Sequence, residues 1–88
     1  GVATSWRDPT GSVALLQLPL HEGWIGRNVR DVGRAAGVRV AFVMRFGTGV
    51  LPTTTTVIQA DDEVYVAAQS GTVGDVTAVA ARAPEEDD

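Results

Sequence analysis

Between Asn28 and Arg45 the sequence leaves the backbone little choice. Asn28 is a good N-cap, and behind it Val29, Val32 and Ala36 recur at i, i+3 and i+7, the spacing of one narrow apolar helix face. Arg30 and Arg34 lie on the other side as i, i+4 neighbours. Gly37 then supplies a residue suited to the left-handed backbone that ends a helix. Val38-Arg39-Val40-Ala41-Phe42-Val43-Met44-Arg45 follows at once with the period of a strand. Strict alternation predicts Val38, Val40, Phe42 and Met44 on one face and Arg39, Ala41, Val43 and Arg45 on the other. The second face is polar only at its ends, as befits a central strand.

The flanking segments extend this to a whole domain. Residues 12–20 read as a strand ending at a Pro suited to a sheet edge, and His21-Glu22-Gly23 as a polar turn before Trp24 and Ile25. Phe46-Gly47-Thr48-Gly49 reads as a hairpin loop and Val50-Leu51-Pro52 as a short returning edge strand, with Thr53 to Thr56 continuing extended. Glu63 to Ala68 alternates as another half-buried strand. Ser70 or Thr72 caps a last helix reaching about Arg82, with Val73, Val76, Val79 and Ala80 facing the sheet and Asp75 and Arg82 in solvent. The expected order is β-α-β-β-β-α, an α+β fold with a mostly antiparallel sheet and two helices. Residues 1–11, mixed in Gly, Pro, Ser and Thr around Trp6, read as a linker or arm, 12–83 as the domain, and 84–88 as an acidic tail.

Composition narrows the function. A chain of 88 residues supports one small core. It has no Cys, so a disulfide framework and a thiolate metal site are both excluded. The seven basic residues are all Arg and are scattered rather than massed into a stripe, and the formal net charge is -4, which argues against nucleic acid as a partner. No nucleophile stands beside a base and no Gly-rich phosphate loop precedes a Lys, so an enzyme is not expected. The single His21 with Glu22, and Asp61-Asp62-Glu63, lack the spacing of metal ligands and read as solvated turns. The start at Gly1, without Met or signal-like sequence, suggests a piece of something longer.

Several features fall in a familiar order: Ile25-Gly26-Arg27 leading into Val29 to Val32, Val40 to Arg45 followed by Gly47, Pro52, and the Asp61-Asp62 turn before the last strand. Together, from Leu20 to Ala68, they resemble the TrkA C-terminal (RCK_C) domain of Trk/Ktr-type potassium uptake regulatory proteins. The resemblance implies a regulatory, ligand-sensing and dimerising lobe of a cytoplasmic gating subunit, peripheral to the inner face of the membrane. Its implied partners are a second copy, an N-terminal RCK_N lobe and an integral-membrane potassium transporter subunit. No cofactor is implied in this lobe; NAD(H) or ATP/ADP belongs to a preceding Rossmann-type lobe, and cyclic di-AMP is a candidate ligand here. Two departures stand out. Asp61 replaces the usual Gly of the turn, a substitution a left-handed backbone tolerates. Gly33 and Arg39 occupy positions where cyclic di-AMP sensors of the family tend to carry Arg and Asn. The competing reading is an oligomerisation-only domain of another cation transporter or exchanger, with no small-molecule ligand.

On this basis the candidate ligand-binding residues are Arg34 and Arg39, flanking Gly37, with Val38, Val40 and Asp31. Guanidiniums there suit a phosphate or the face of a base, the plainer alternative being ordinary solvation with a surface ion pair to Asp31. Trp6 and Trp24 are the candidate dimer-interface residues, Trp24 doubling as a lid on the core.

Overall fold

The computed structural model describes residues 4–85. Residues 1–3 of the expected arm and 86–88 of the acidic tail lie outside the described residues. The elements are β1 (Thr4–Arg7), β2 (Val13–Leu18), α1 (Val29–Ala36), β3 (Arg39–Arg45), β4 (Thr48–Val50), β5 (Glu63–Gln69) and α2 (Val73–Ala80), with 3-10 turns at Glu22–Trp24 and Ser70–Thr72. The strands form one sheet in the order β1-β2-β5-β3-β4, antiparallel at every step. This is the expected α+β class.

One strand has no counterpart in the sequence reading. Thr4–Arg7, taken above as part of an arm, pairs with β2, Trp6 standing opposite Leu15. The turn between them is closed by Asp8: its carbonyl accepts from Gly11 N at 2.9 Å, its carboxylate from Val13 N at 2.7 Å and from the Thr10 hydroxyl. Gly11 meets the turn's requirement with φ 76°.

The second hairpin is tighter than expected. Arg45 and Thr48 are paired, so only Phe46 and Gly47 form the loop, at φ 51° and 75°, the two left-handed residues of a type I′ turn. The returning strand therefore starts at Thr48, two residues early, and ends at Val50. Beyond it, Pro52 to Thr56 do not continue the sheet; the Thr56 hydroxyl accepts from Thr53 N at 2.8 Å and closes a local turn.

Both helices cover one face of the sheet. Ala14, Leu16 and Leu18 of β2, Val64, Val66 and Ala68 of β5, and Val43 of β3 pack against Val29 and Val32 of α1, Val76 and Ala80 of α2, and Trp24 and Ile58. Each Leu or Val buried here contributes about 1.5–3 kcal/mol, which is what holds two eight-residue helices that would not persist alone. Asp75 and Arg82 are exposed as expected, whereas Thr72 makes no capping bond to α2 and instead donates to the Gln69 carbonyl at 2.8 Å.

β3 breaks its own alternation. A register shift between Val40 and Phe42 places Val40 opposite Val66 and Val43 opposite Val64 on the helix-covered face, and turns Phe42 and Met44 to the other, opposite Tyr65 and Glu63. The single-face grouping of Val40, Phe42 and Met44 is thus corrected: a β-bulge inserts one residue and exchanges the faces. Phe42 and Tyr65 stack with ring centroids 4.6 Å apart.

Candidate functional site

α1 is set in place by both of its ends. Asn28 Oδ1 accepts from Arg30 N at 2.9 Å as the N-cap, and Asn28 Nδ2 donates to the Thr54 carbonyl at 2.7 Å. Val29 N donates to the Thr56 carbonyl at 3.0 Å, so the helix start is tied to the loop after β4. At the other end Gly37 adopts φ 71°, ψ 36°, and the N–H groups of both Gly37 and Val38 reach the Gly33 carbonyl. The chain then enters β3 directly, laying α1 beside the strand it precedes.

Between α1, the start of β3 and the Pro52–Thr54 segment lies an open groove of about 600 Å³. Val29, Gly33, Val38, Val40 and Pro52 supply its apolar lining, Arg30, Arg34 and Arg39 its cations, and Thr53 and Thr54 complete it. No carboxylate, His or Tyr takes part. Among the described residues none of the three guanidiniums stands within ion-pairing distance of an acid. Such a lining favours a ligand that is anionic in one part and apolar or flat in another, because guanidiniums bond oxyanions in pairs and also stack.

Four of the five residues expected here are brought together: Arg34, Arg39, Val38 and Val40. Asp31 is not. It projects from the opposite flank of α1 and accepts from Arg27 Nε at 3.2 Å, so the expected pairing with Arg34 is replaced by one with Arg27, four residues before it. Asp31 instead lines a second groove of about 340 Å³ between the helices, with Arg27, Arg82 and Trp24, and Arg34 forms the ridge between the two. Arg30 and the Pro52–Thr54 wall were missed. Arg30 had a legible signal, since it shares a flank with Arg34; the wall depends on long-range hydrogen bonds.

Gly33 explains one departure noted in the sequence. A Cβ at this position would stand 2.8 Å from the Val38 carbonyl oxygen, so this backbone has no room for a larger side chain there. Arg30, Arg34 and Arg39 are the cations that line the groove.

The two tryptophans differ. Trp6 is 56% exposed on the sheet face opposite the helices, whereas Trp24 is 2% exposed and bonds through Nε1 to the Arg82 carbonyl at 2.8 Å. Trp24 is therefore a core lid, corrected from an interface residue: its ring lies within the buried core cluster, and its only side-chain polar atom is used internally. His21 accepts from Gly23 N through Nδ1 at 2.9 Å, a local cap. Among the described residues no cluster of His, Asp and Glu could hold a metal ion, and no helix is long and apolar enough to cross a membrane.

A small α+β lobe whose open groove is apolar at its floor and rimmed by Arg30, Arg34 and Arg39 has the build of a binding module. The chain belongs to the TrkA-C domain family, whose model matches residues 13–81. It is 40% identical over 87 residues to the Trk system potassium uptake protein TrkA of Streptomyces coelicolor, covering 99% of this chain and 39% of that protein. Its fold matches the crystal structure of the GsuK RCK domain with TM-score 0.74 at 19% identity, over 97% of this chain and 19% of that one. The GsuK channel bound to NAD matches equally, with TM-score 0.74 at 19% identity, over 98% of this chain and 16% of that one. The chain thus spans about two fifths of the curated relative and a smaller part of the structural ones.

Proposed function

We propose that this chain is the ligand-sensing regulatory lobe of a gating subunit of a potassium uptake system, acting as a homodimer at the inner face of the cell membrane. The observation that carries the reading is the groove beside α1, where Arg30, Arg34 and Arg39 surround an apolar floor with no lining carboxylate. An anion seated there touches both α1 and β3, so its binding energy can favour one disposition of paired lobes over another. The likeness to the TrkA potassium uptake protein supplies the system, and the remaining three fifths of that relative supplies room for a nucleotide-binding lobe and a contact with a membrane transporter subunit. The GsuK channel bound to NAD supports NAD(H) as the ligand of such a preceding lobe, with ATP/ADP as the alternative carried by the family resemblance.

For this lobe the ligand class is a phosphate-bearing molecule with a flat apolar part, cyclic di-AMP being the first candidate to test. Thermal shift and calorimetry with cyclic di-AMP, ATP, NAD and inorganic phosphate provide the test. A ligand at 100 times its Kd stabilises the native state by about 2.7 kcal/mol, a rise of several degrees in Tm. Arg34→Ala and Arg39→Ala should each weaken that response on the order of tenfold or more. A flat response to the whole panel would overturn the sensing reading and favour a lobe used for assembly alone.

A further inference from the structure

Among the threonines that follow Pro52, one is held differently from its neighbours. Thr53 and Thr56 close the turn: Thr56 N donates to the Thr53 carbonyl at 3.3 Å, and Thr53 N donates to the Thr56 hydroxyl at 2.8 Å. The Thr53 hydroxyl also bonds those of Thr55 at 3.2 Å and Thr56 at 3.3 Å. The Thr54 hydroxyl enters none of these bonds. Thr54 and Thr55 form the exposed tip of the turn, yet of the two only Thr54 lines the groove rimmed by Arg30, Arg34 and Arg39. Its backbone is fixed there, because its carbonyl accepts from Asn28 Nδ2 at 2.7 Å and so ties the tip to the N-cap of α1.

We propose that Thr54 is a phosphorylation site whose phosphate turns into the groove as an internal ligand of Arg30, Arg34 and Arg39. The co-reactants are ATP and a protein Ser/Thr kinase. Thr54 Oγ1 attacks the γ-phosphorus, the bond to the bridging oxygen breaks, ADP leaves, and the hydroxyl proton passes to the kinase's base. The product carries a charge of about -1.5 to -2 at pH 7 and three acceptor oxygens. Guanidiniums meet such oxygens in pairs. No carboxylate lines the groove to repel the dianion, and among the described residues none stands within ion-pairing distance of the three cations to compete for them.

Because donor and acceptor sit on one chain, they meet at an effective concentration in the millimolar range, well above that of most free anions. The consequence rests on the sensing reading above: a phosphate held by the chain itself occupies the guanidiniums that a phosphate-bearing ligand needs. Modification of Thr54 would therefore close the groove to that ligand. Thr55, exposed at the same tip but outside the groove, is the built-in control.

Phosphopeptide mass spectrometry of the protein from its own cells should place phosphate on Thr54; phosphate on none of Thr53 to Thr56, or on Thr55 instead, would overturn the site. Capture is read on the full chain carrying phosphothreonine at position 54. Phosphorus NMR should show its second ionisation at least about one unit below the free value of about 6, since nearby cations favour the dianion. Arg30→Ala combined with Arg34→Ala should return it towards 6, and phosphothreonine at position 55 should titrate near 6 throughout. A phosphate on Thr54 that titrates like the free group would overturn the capture. In calorimetry with inorganic phosphate and cyclic di-AMP, the phosphorylated chain should bind tenfold or more weakly whichever probe the unmodified chain binds, and equal binding would overturn the closing of the groove. An unmodified chain that binds neither probe would overturn the sensing reading alone, while the ionisation shift still decides the capture.

Discussion

Arg45 grips Asp62 with both arms of its guanidinium: Nε reaches Oδ1 at 2.9 Å and Nη2 reaches Oδ2 at 2.8 Å. The same Nη2 donates to the Val57 carbonyl at 3.0 Å, and Asp62 Oδ2 also accepts from Gln59 N at 2.8 Å. One ion pair therefore fastens the end of β3 to the whole crossing loop that leads into β5. The Asp62 side chain is 1% exposed, so its charge is kept inside only because every bond it needs is present. Asp61 beside it takes φ 68°, the left-handed conformation that lets the carboxylate of its neighbour turn inward. The turn thus keeps its shape without the usual Gly.

This pair makes stability depend on acid. Hydrogen bonding from Arg45, aided by Gln59 N, holds the Asp62 carboxyl below the usual carboxylate value against the opposing effect of burial. Asp8 is held down to about 2, first by the Thr10 hydroxyl and then by Val13 N. Both carboxyls bind a proton less readily folded than unfolded. Their contribution is full above the unfolded carboxylate value of about 3.9 and drains away as pH falls through the folded values. Melting temperature should be level from about pH 7 to 5 and fall below about pH 4. Asp62→Asn should cost roughly 2 kcal/mol at pH 7 and flatten that fall, which thermal melts across pH will show.

What could be seen in the sequence was whatever is decided locally. α1 runs Val29–Ala36 between an Asn28 cap and a left-handed Gly37, as spacing and cap residues demanded, and the four groove residues around Gly37 follow from it. β1 escaped because Thr-Ser-Trp-Arg has no period of its own; it becomes a strand only when β2 offers an edge. The bulge in β3 escaped for the same reason, being fixed by pairing with Val64 and Tyr65 rather than by any Gly in the strand. Asp31 was put on the wrong side because i, i+3 spacing from Arg34 suggests contact, while Arg27, outside the helix, reaches it first. The Pro52–Thr54 wall is held by Asn28 across 26 residues of sequence, a distance no local pattern reports.

Phe46 is a residue in an unfavourable backbone with nothing to hold it there. It is 91% exposed, at φ 51°, in the first position of the two-residue turn before Gly47. A left-handed conformation costs an ordinary residue about 1–2 kcal/mol, and Asn tolerates it best in an Asn-Gly type I′ turn. Phe46→Asn should therefore stabilise the fold by about 1 kcal/mol, a rise of roughly 4–8 °C in a domain of this size. A melt of the variant at neutral pH checks it, and an unchanged or lower Tm would mean that Phe46 packs on something.

The two helical glycines Gly33 and Gly74 should answer the same substitution with opposite signs. In α2, a Cβ on Gly74 meets nothing within 4 Å, so Gly74→Ala should gain the helix propensity difference, about 0.8–1 kcal/mol. In α1, a Cβ on Gly33 would lie 2.8 Å from the Val38 carbonyl oxygen. That oxygen belongs to backbone, and Val38 is itself held by its N–H to the Gly33 carbonyl at 2.9 Å, so it has little freedom to retreat. Overpacking of this kind costs about 1–3 kcal/mol, more than the propensity gained, so Gly33→Ala should lower Tm while Gly74→Ala raises it. Because Gly33 also lines the groove, its Ala variant should weaken whatever ligand the Arg30, Arg34 and Arg39 cluster binds, and the Gly74 variant should leave that binding intact. If both variants were stabilised alike, the close approach of α1 to β3 would be refuted, and with it the shape of the groove they enclose.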